Sequence, residues 1–245
     1  MSMSFAHKDL VGLTVLVLLI GCFACNREIK PPAPQDGLAL AIVYDTSGSM
    51  ADDVINASGA KEPKYRIARR AINSILDLMD VYTKETTNGM PRVVYAELIA
   101  LNKSQVKRVL QLSPFNAQAL KTTIDRFPKP TGGTPLGKAL LAAAEDLMAS
   151  PLNRKHILVL TDGENTEGRR PEAVMPELLE QARTNNTGIQ IHFVAFDVAA
   201  DIFEPVKTLG ATVVSAHDET QLNEQLEFIL QKKILLENEE PSLNK

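Results

Sequence analysis

The sequence predicts an α/β domain built on a single doubly wound (Rossmann-like), mostly parallel sheet of roughly six strands, with helices on both faces and one antiparallel edge strand. Three observations carry this prediction. Leu38–Tyr44 (LALAIVY) is an uninterrupted apolar run, and Lys155–Thr161 (KHILVLT) holds a second one. Runs without alternation suit strands buried on both faces of a parallel sheet. Ile67, Ala71, Ile75, Leu78 and Tyr82 recur at helical spacing, the signature of an amphipathic helix lying on such a sheet. Strand and helix candidates then alternate along the chain, as right-handed crossovers between parallel strands require.

After the first strand, Ala51–Pro63 is polar and contains glycine, and it reads as a surface loop. Tyr65–Tyr82 is the amphipathic helix. Asn88-Gly89 and Pro91 break the chain. Arg92–Leu101 is a strand candidate, and Val106–Leu112 alternates like an edge strand; the few residues between them imply antiparallel pairing. Phe115–Phe127 reads as a short helix capped near Ser113. The Pro/Gly segment up to Gly133 is loop, and Pro135 suits the first turn of an Ala- and Leu-rich helix over Leu136–Met148. Lys155–Thr161 is a second central strand, and Arg170–Asn185 is helical. Ile189–Phe196 is a strand, Ala200–Leu209 a short helix, Ala211–Ala216 the last strand and Glu219–Leu236 the closing helix.

The ends differ in character from this domain. His7 and Lys8 precede a short apolar run, Leu10–Gly21, that fits a signal-peptide core better than a transmembrane helix. Leu19-Ile20-Gly21-Cys22 resembles the lipobox of bacterial lipoproteins. That resemblance implies that residues 1–21 are removed and that Cys22 is acylated. It also implies a lipid anchor in the bacterial cell envelope, with the domain facing the periplasm or exterior. Asp9 departs from the usual purely basic leader, and an uncleaved anchor is the competing reading. Phe23 stands where some bacteria place the aspartate that retains lipoproteins at the inner membrane, which favours the outer membrane. Residues 22–37, with Pro31, Pro32 and Pro34, read as a tether stiffened by polyproline geometry. Residues 38–236 form the domain, and 237–245 a frayed acidic tail. The domain contains no cysteine, which excludes a disulfide framework and a thiolate metal site. The net charge of −4 shows no basic excess of the kind a nucleic-acid surface carries.

Both central strands end in aspartate: AIVYDTSGS at Asp45 and HILVLTDGE at Asp162. Neighbouring strands at the point where strand order reverses would aim both carboxylates into one crevice. Ser47 and Ser49 follow Asp45, and Thr134 lies in a Gly-Gly-Thr-Pro-Leu loop at a helix start. These five side chains offer only oxygen, which suits Mg²⁺ or Ca²⁺ rather than zinc or copper. Taken singly, each hydroxyl or carboxylate could simply cap a helix or a turn.

The D-x-S-x-S pattern DTSGS, the threonine of TGGTPLG and the aspartate of TDG together resemble the metal-ion-dependent adhesion site of von Willebrand factor A domains. The resemblance covers roughly Leu38–Leu236. It implies that Ser47 and Ser49 bind Mg²⁺ (or Ca²⁺ or Mn²⁺) directly and that Thr134 binds directly or through water. Asp45 and Asp162 would act mostly through waters and hydrogen bonds. It also implies a protein partner that completes the metal's coordination with an Asp or Glu, with no catalysis, no small-molecule substrate and no nucleic acid. Asp52 and Asp53 extend the motif to a form that resembles the corresponding domain of integrin β polypeptides, although a solvated acidic loop is the preferred reading. Asp197, ending a later strand, is expected away from the switch point as a cap or turn. Arg169 and Arg170 are placed at the rim of the site. His156 and His192 are assigned to core or edge positions.

Two rivals are distinguishable. Gly132–Lys138 (GGTPLGK) fits a phosphate-binding loop of a nucleotide hydrolase, but Ala139 stands where a Ser or Thr should hold Mg²⁺, and no strand precedes the loop. A structural role in an envelope assembly, with the metal only stiffening loops, is the other.

Overall fold

The computed structural model describes residues 35–87, 89–102 and 105–236. The signal segment, Cys22, most of the tether and the acidic tail lie outside the described residues. Six strands make one sheet: β1 (Gln35–Tyr44), β2 (Val94–Asn102), β3 (Gln105–Pro114), β4 (Leu152–Thr161), β5 (Gln190–Phe196) and β6 (Thr212–Ala216). Their order is β6-β5-β4-β1-β2-β3. Every neighbouring pair is parallel except β2 with β3, the antiparallel edge pair that the short connection predicted. The chain leaves β1 toward β2 and β3 and then returns to β4 on the other flank. The switch point therefore lies between β1 and β4, where such sheets place ligands.

The helices are α1 (Lys64–Lys84), α2 (Ala117–Asp125), α3 (Leu136–Ala149), α4 (Pro171–Thr184), α5 (Glu204–Thr208) and α6 (Glu219–Phe228). Alternation along β1 divides the core. Leu38, Leu40, Ile42 and Tyr44 join the cluster that includes α1, α2 and α6. Ala39, Ala41 and Val43 join the cluster that includes α3, α4 and α5. On that second face small side chains meet small ones, since α3 packs on β1 with Ala139, Ala143 and Ala144.

Several local expectations need correcting. β1 begins at Gln35, inside the segment read as tether. Gln35 N donates to Pro151 O at 2.9 Å, and Gly37 N donates to Asn153 Oδ1 at 3.1 Å. The loop expected over Ala51–Pro63 contains a ribbon, Asp53–Ile55 paired with Lys61–Pro63. Asn56 closes it, its Oδ1 accepting the amides of Ser58 at 3.0 Å and Ala60 at 2.9 Å, with Gly59 at φ 81°. A second ribbon pairs Thr86–Thr87 with Met90–Pro91, where only a break was predicted. Helix α2 is capped by Asn116, whose Oδ1 accepts Ala119 N at 2.9 Å, because β3 runs on through Ser113. The helix expected over Ala200–Leu209 is a 3₁₀ turn, Ala200–Phe203, followed by α5 with Pro205 in its first turn. The closing helix widens to a π-helix over Ile229–Leu235. Ile229 and Ile234, five apart, are both fully buried, and the wider turn brings that spacing onto one face.

Candidate metal centre

Asp45 and Asp162 end adjacent parallel strands at the same sheet edge, with Asp45 N donating to Leu160 O at 3.0 Å. Both oxygens of the buried Asp45 are engaged. Oδ1 accepts Ser47 N at 2.7 Å, and Oδ2 accepts Thr161 Oγ1 at 2.6 Å. The first of these is an aspartate turn that bends the chain after β1 back over the sheet edge. Ser49 Oγ then donates to Asp162 Oδ1 at 2.7 Å, and Ser47 Oγ lies 3.2 Å from Ser49 Oγ. Four of the five predicted residues are thus joined in one hydrogen-bonded series. The fifth arrives on a loop fastened to the same turn, with Thr131 N donating to Thr46 O at 3.0 Å and Gly48 N donating to Gly132 O at 2.9 Å. Thr134 is buried there, its amide donating to Thr166 Oγ1 at 2.7 Å and its carbonyl accepting Thr166 N at 3.0 Å.

The glycines of TGGTPLG have steric reasons. A Cβ on Gly133 would lie 2.7 Å from Glu167 Cγ, and one on Gly137 would lie 2.1 Å from Arg169 O. Gly137 N also donates to Asn165 Oδ1 at 3.2 Å. The segment preceding this loop is α2 rather than a strand, and Gly137 sits inside α3. The strand–loop–helix context of a phosphate-binding loop is therefore missing.

Burial raises the pKa of both carboxyls. Asp45 is pushed up to about 6 by burial, against hydrogen bonds from Thr161 and Ser47, and the nearby Asp162 pushes it further. Asp162 is raised by burial, against Ser49 and Lys64. Two buried carboxyls, close enough for Asp162 to raise the pKa of Asp45, are ionised more readily beside a cation. Among the described residues no group of three or more His, Cys, Asp or Glu side chains is arranged to hold a metal. A cation here would rest on hydroxyl oxygens as well as carboxylates, an all-oxygen set that fits a hard ion such as Mg²⁺.

Three contributors escaped the sequence reading. Thr161 holds Asp45, and Thr166 holds Thr134. Lys64, the first residue of α1, is buried with its Nζ 3.2 Å from Asp162 Oδ2 and 3.0 Å from Asp197 Oδ2. A signal existed, because a lysine at a helix N-terminus opposes the helix dipole and so asks for carboxylate partners. Asp197 corrects an expectation. It does adopt a turn conformation, at φ 54°, but the adjacency of β5 and β4 joins it to Asp162 through Lys64. Arg169 and Arg170 turn to α4 rather than to the rim. Arg169 reaches Glu177 Oε2 at 3.0 Å and Ala173 O at 2.7 Å, and Arg170 reaches Glu172 at 3.9 Å. Asp52 and Asp53 are exposed, but Asp53 opens the Asp53–Ile55 ribbon rather than lying in a loop. His156 and His192 are buried and stacked at 5.4 Å, with His192 pushed down to about 3 by burial and then by His156.

Fold and loops together define a doubly wound α/β domain with an oxygen-rich crevice at its switch point. The chain belongs to the von Willebrand factor type A domain family, whose profile matches residues 39–230. Such domains are in general non-catalytic binding modules. It is 26% identical over 234 residues to YwmD, an uncharacterized protein of Bacillus subtilis (strain 168), spanning 91% of this chain and 95% of that one. Among solved structures it is similar to the D319A mutant of the PilB minor pilin from Streptococcus sanguinis, with a TM-score of 0.60 and 16% identity over 84% of this chain and 63% of that one. It is also similar to proximal thread matrix protein 1 from the mussel byssus with a zinc-occupied MIDAS motif. There the TM-score is 0.58, with 15% identity over 81% of this chain and 48% of that one. The chain spans less than two thirds of either solved chain, and the likeness is one of fold.

Proposed function

We propose that this chain is a non-enzymatic, divalent-cation-dependent protein-binding module of the bacterial cell envelope. In this reading Asp45, Ser47, Ser49, Thr134 and Asp162 hold Mg²⁺, and a partner protein contributes an Asp or Glu. The observation that carries it is the bond from Ser49 Oγ to Asp162 Oδ1 at 2.7 Å, which closes segments 113 residues apart onto one point of the switch crevice. The bound cation would supply a Lewis-acidic position that accepts a carboxylate oxygen. The chain's own residues keep that position electrophilic. Ser47, Ser49 and Thr134 offer neutral oxygens, while both oxygens of Asp45 are taken by the Ser47 amide and the Thr161 hydroxyl. Too little negative charge then faces the ion to satisfy it, and an external carboxylate is attracted.

The surface beside the crevice agrees with an acidic partner. A cavity of about 710 Å³ shares Thr46 and Thr131 with the loops of the site and has Val109 and Phe127 as apolar walls. Lys107, Arg126 and Lys129, all exposed, also line it and add positive charge. Rim charges of this kind speed encounter with an oppositely charged surface. Anchoring rests on Cys22. One lipid-modified cysteine can carry more than one acyl chain, which stable attachment requires.

The test is capture from a bacterial envelope extract on the immobilised protein. Capture should require Mg²⁺, be reversed by EDTA and be lost in Ser47→Ala, which should melt as the wild type does in the absence of metal. Capture indifferent to EDTA would overturn the reading. Melting that depends on metal, with capture that does not, would favour a purely structural ion.

A further inference from the structure

Lys64 occupies an electrostatically awkward position. It opens α1, where the helix dipole is already positive, with no acidic residue in the first turn and no side-chain cap from Pro63. Its side chain is 8% exposed, against 0% for Asp162 and 38% for Asp197. Its backbone is fixed as well, with Lys64 N donating to Asp52 O at 2.9 Å. The ammonium takes the Oδ2 of Asp162, while the Oδ1 of the same carboxylate faces Ser49. One carboxylate is therefore shared between an internal cation and the point where the external cation is proposed to sit.

We propose that Lys64 is a built-in counter-ion of the candidate metal centre: it weakens the hold on the divalent cation alone and strengthens the demand for an incoming carboxylate. The inference rests on reading the crevice as a metal site. A unit positive charge fixed behind Asp162 lowers the negative potential that attracts the metal. The same charge leaves the loaded site more positive and so more attractive to a partner's Asp or Glu. Asp197 tunes this effect by neutralising part of the ammonium, which lies 3.0 Å from Asp197 Oδ2. Lys64 and Asp197 act on the metal only through Asp162 and are positioning residues.

The signs separate this role from mere scaffolding. If Lys64 only oriented Asp162, removing it would weaken metal binding. As a counter-ion, its removal must strengthen it. Lys64→Met should therefore bind Mn²⁺ about tenfold or more tightly by isothermal titration. Acetate, the carboxylate probe, should half-saturate the Mn²⁺-loaded variant at several-fold higher concentration, read from proton relaxation of metal-bound water. Lys64→Arg should behave as the wild type. Asp197→Asn, at a partly exposed position, should shift both quantities the opposite way, and it provides a second arm should Lys64→Met fold poorly. Unchanged or weaker Mn²⁺ binding in Lys64→Met, or unchanged binding in Asp197→Asn, overturns the counter-ion role alone. Absence of Mn²⁺ binding in the wild type overturns the metal reading and this inference with it.

Discussion

Glu97 shows how a buried carboxyl behaves in this fold when hydrogen bonds do not compensate it. It lies on β2 opposite Ala41 and is fully buried, with neither carboxyl oxygen bonded. Burial, then the neighbouring Asp146 carboxyl, pushes its pKa from 4.5 to about 9. The folded chain therefore holds a proton on Glu97 at neutral pH that the unfolded chain releases. Linkage fixes the sign: the native state loses stability as pH rises through that interval and is flat outside it. Glu97→Gln keeps the shape and removes the titration. It should melt higher than the wild type at about pH 8 and nearly equal to it at about pH 5. Parallel melting curves across that range would show that Glu97 is ionised or paired. Asp45, also buried, differs because Thr161 and Ser47 both donate to it, so its pKa rises only to about 6.

At the scale of elements, α3 governs the crevice. Pro135 precedes it, Thr134 stands just before Pro135, and Gly137 lets the loop after β4 lie against its first turn. Gly137→Ala would drive a methyl into Arg169 O. Overpacking of this kind costs about 1–3 kcal/mol or more, so chemical denaturation should show a loss at least that large, accompanied by weaker metal binding as the Thr134 loop shifts. A loss below about 0.5 kcal/mol would mean that the loop after β4 moves freely. Much of this was legible in the sequence. The two apolar runs ending in Asp45 and Asp162 marked buried strands, while their adjacency comes from the strand order, and Pro135 with the Ala-rich run marked α3. The rest depends on partners far along the chain or on competition between neighbours. Ser113 looked like a cap until β3 claimed it. The ribbon around Asn56 is set by one side chain gathering amides, which periodicity does not register. Lys64 and Asp197 meet only because β5 lies beside β4, and no local pattern encodes that adjacency.

For the whole molecule, strand order turns scattered polar residues into a site. The order β6-β5-β4-β1-β2-β3 places the loops after β1 and β4 together at the carboxyl edge. The apolar β1 is buried on both faces, and at its end Asp45, Ser47, Ser49 and Asp162 are joined by hydrogen bonds. Membership of the von Willebrand factor type A family is in keeping with a binding role. The measurement closest to the central claim is isothermal titration of Mg²⁺ into the wild type and the Ser47→Ala, Ser49→Ala double variant. The account predicts saturable binding of a single ion to the wild type and none to the variant, with both folded. Equal binding by the two proteins, or no binding by either, would contradict it.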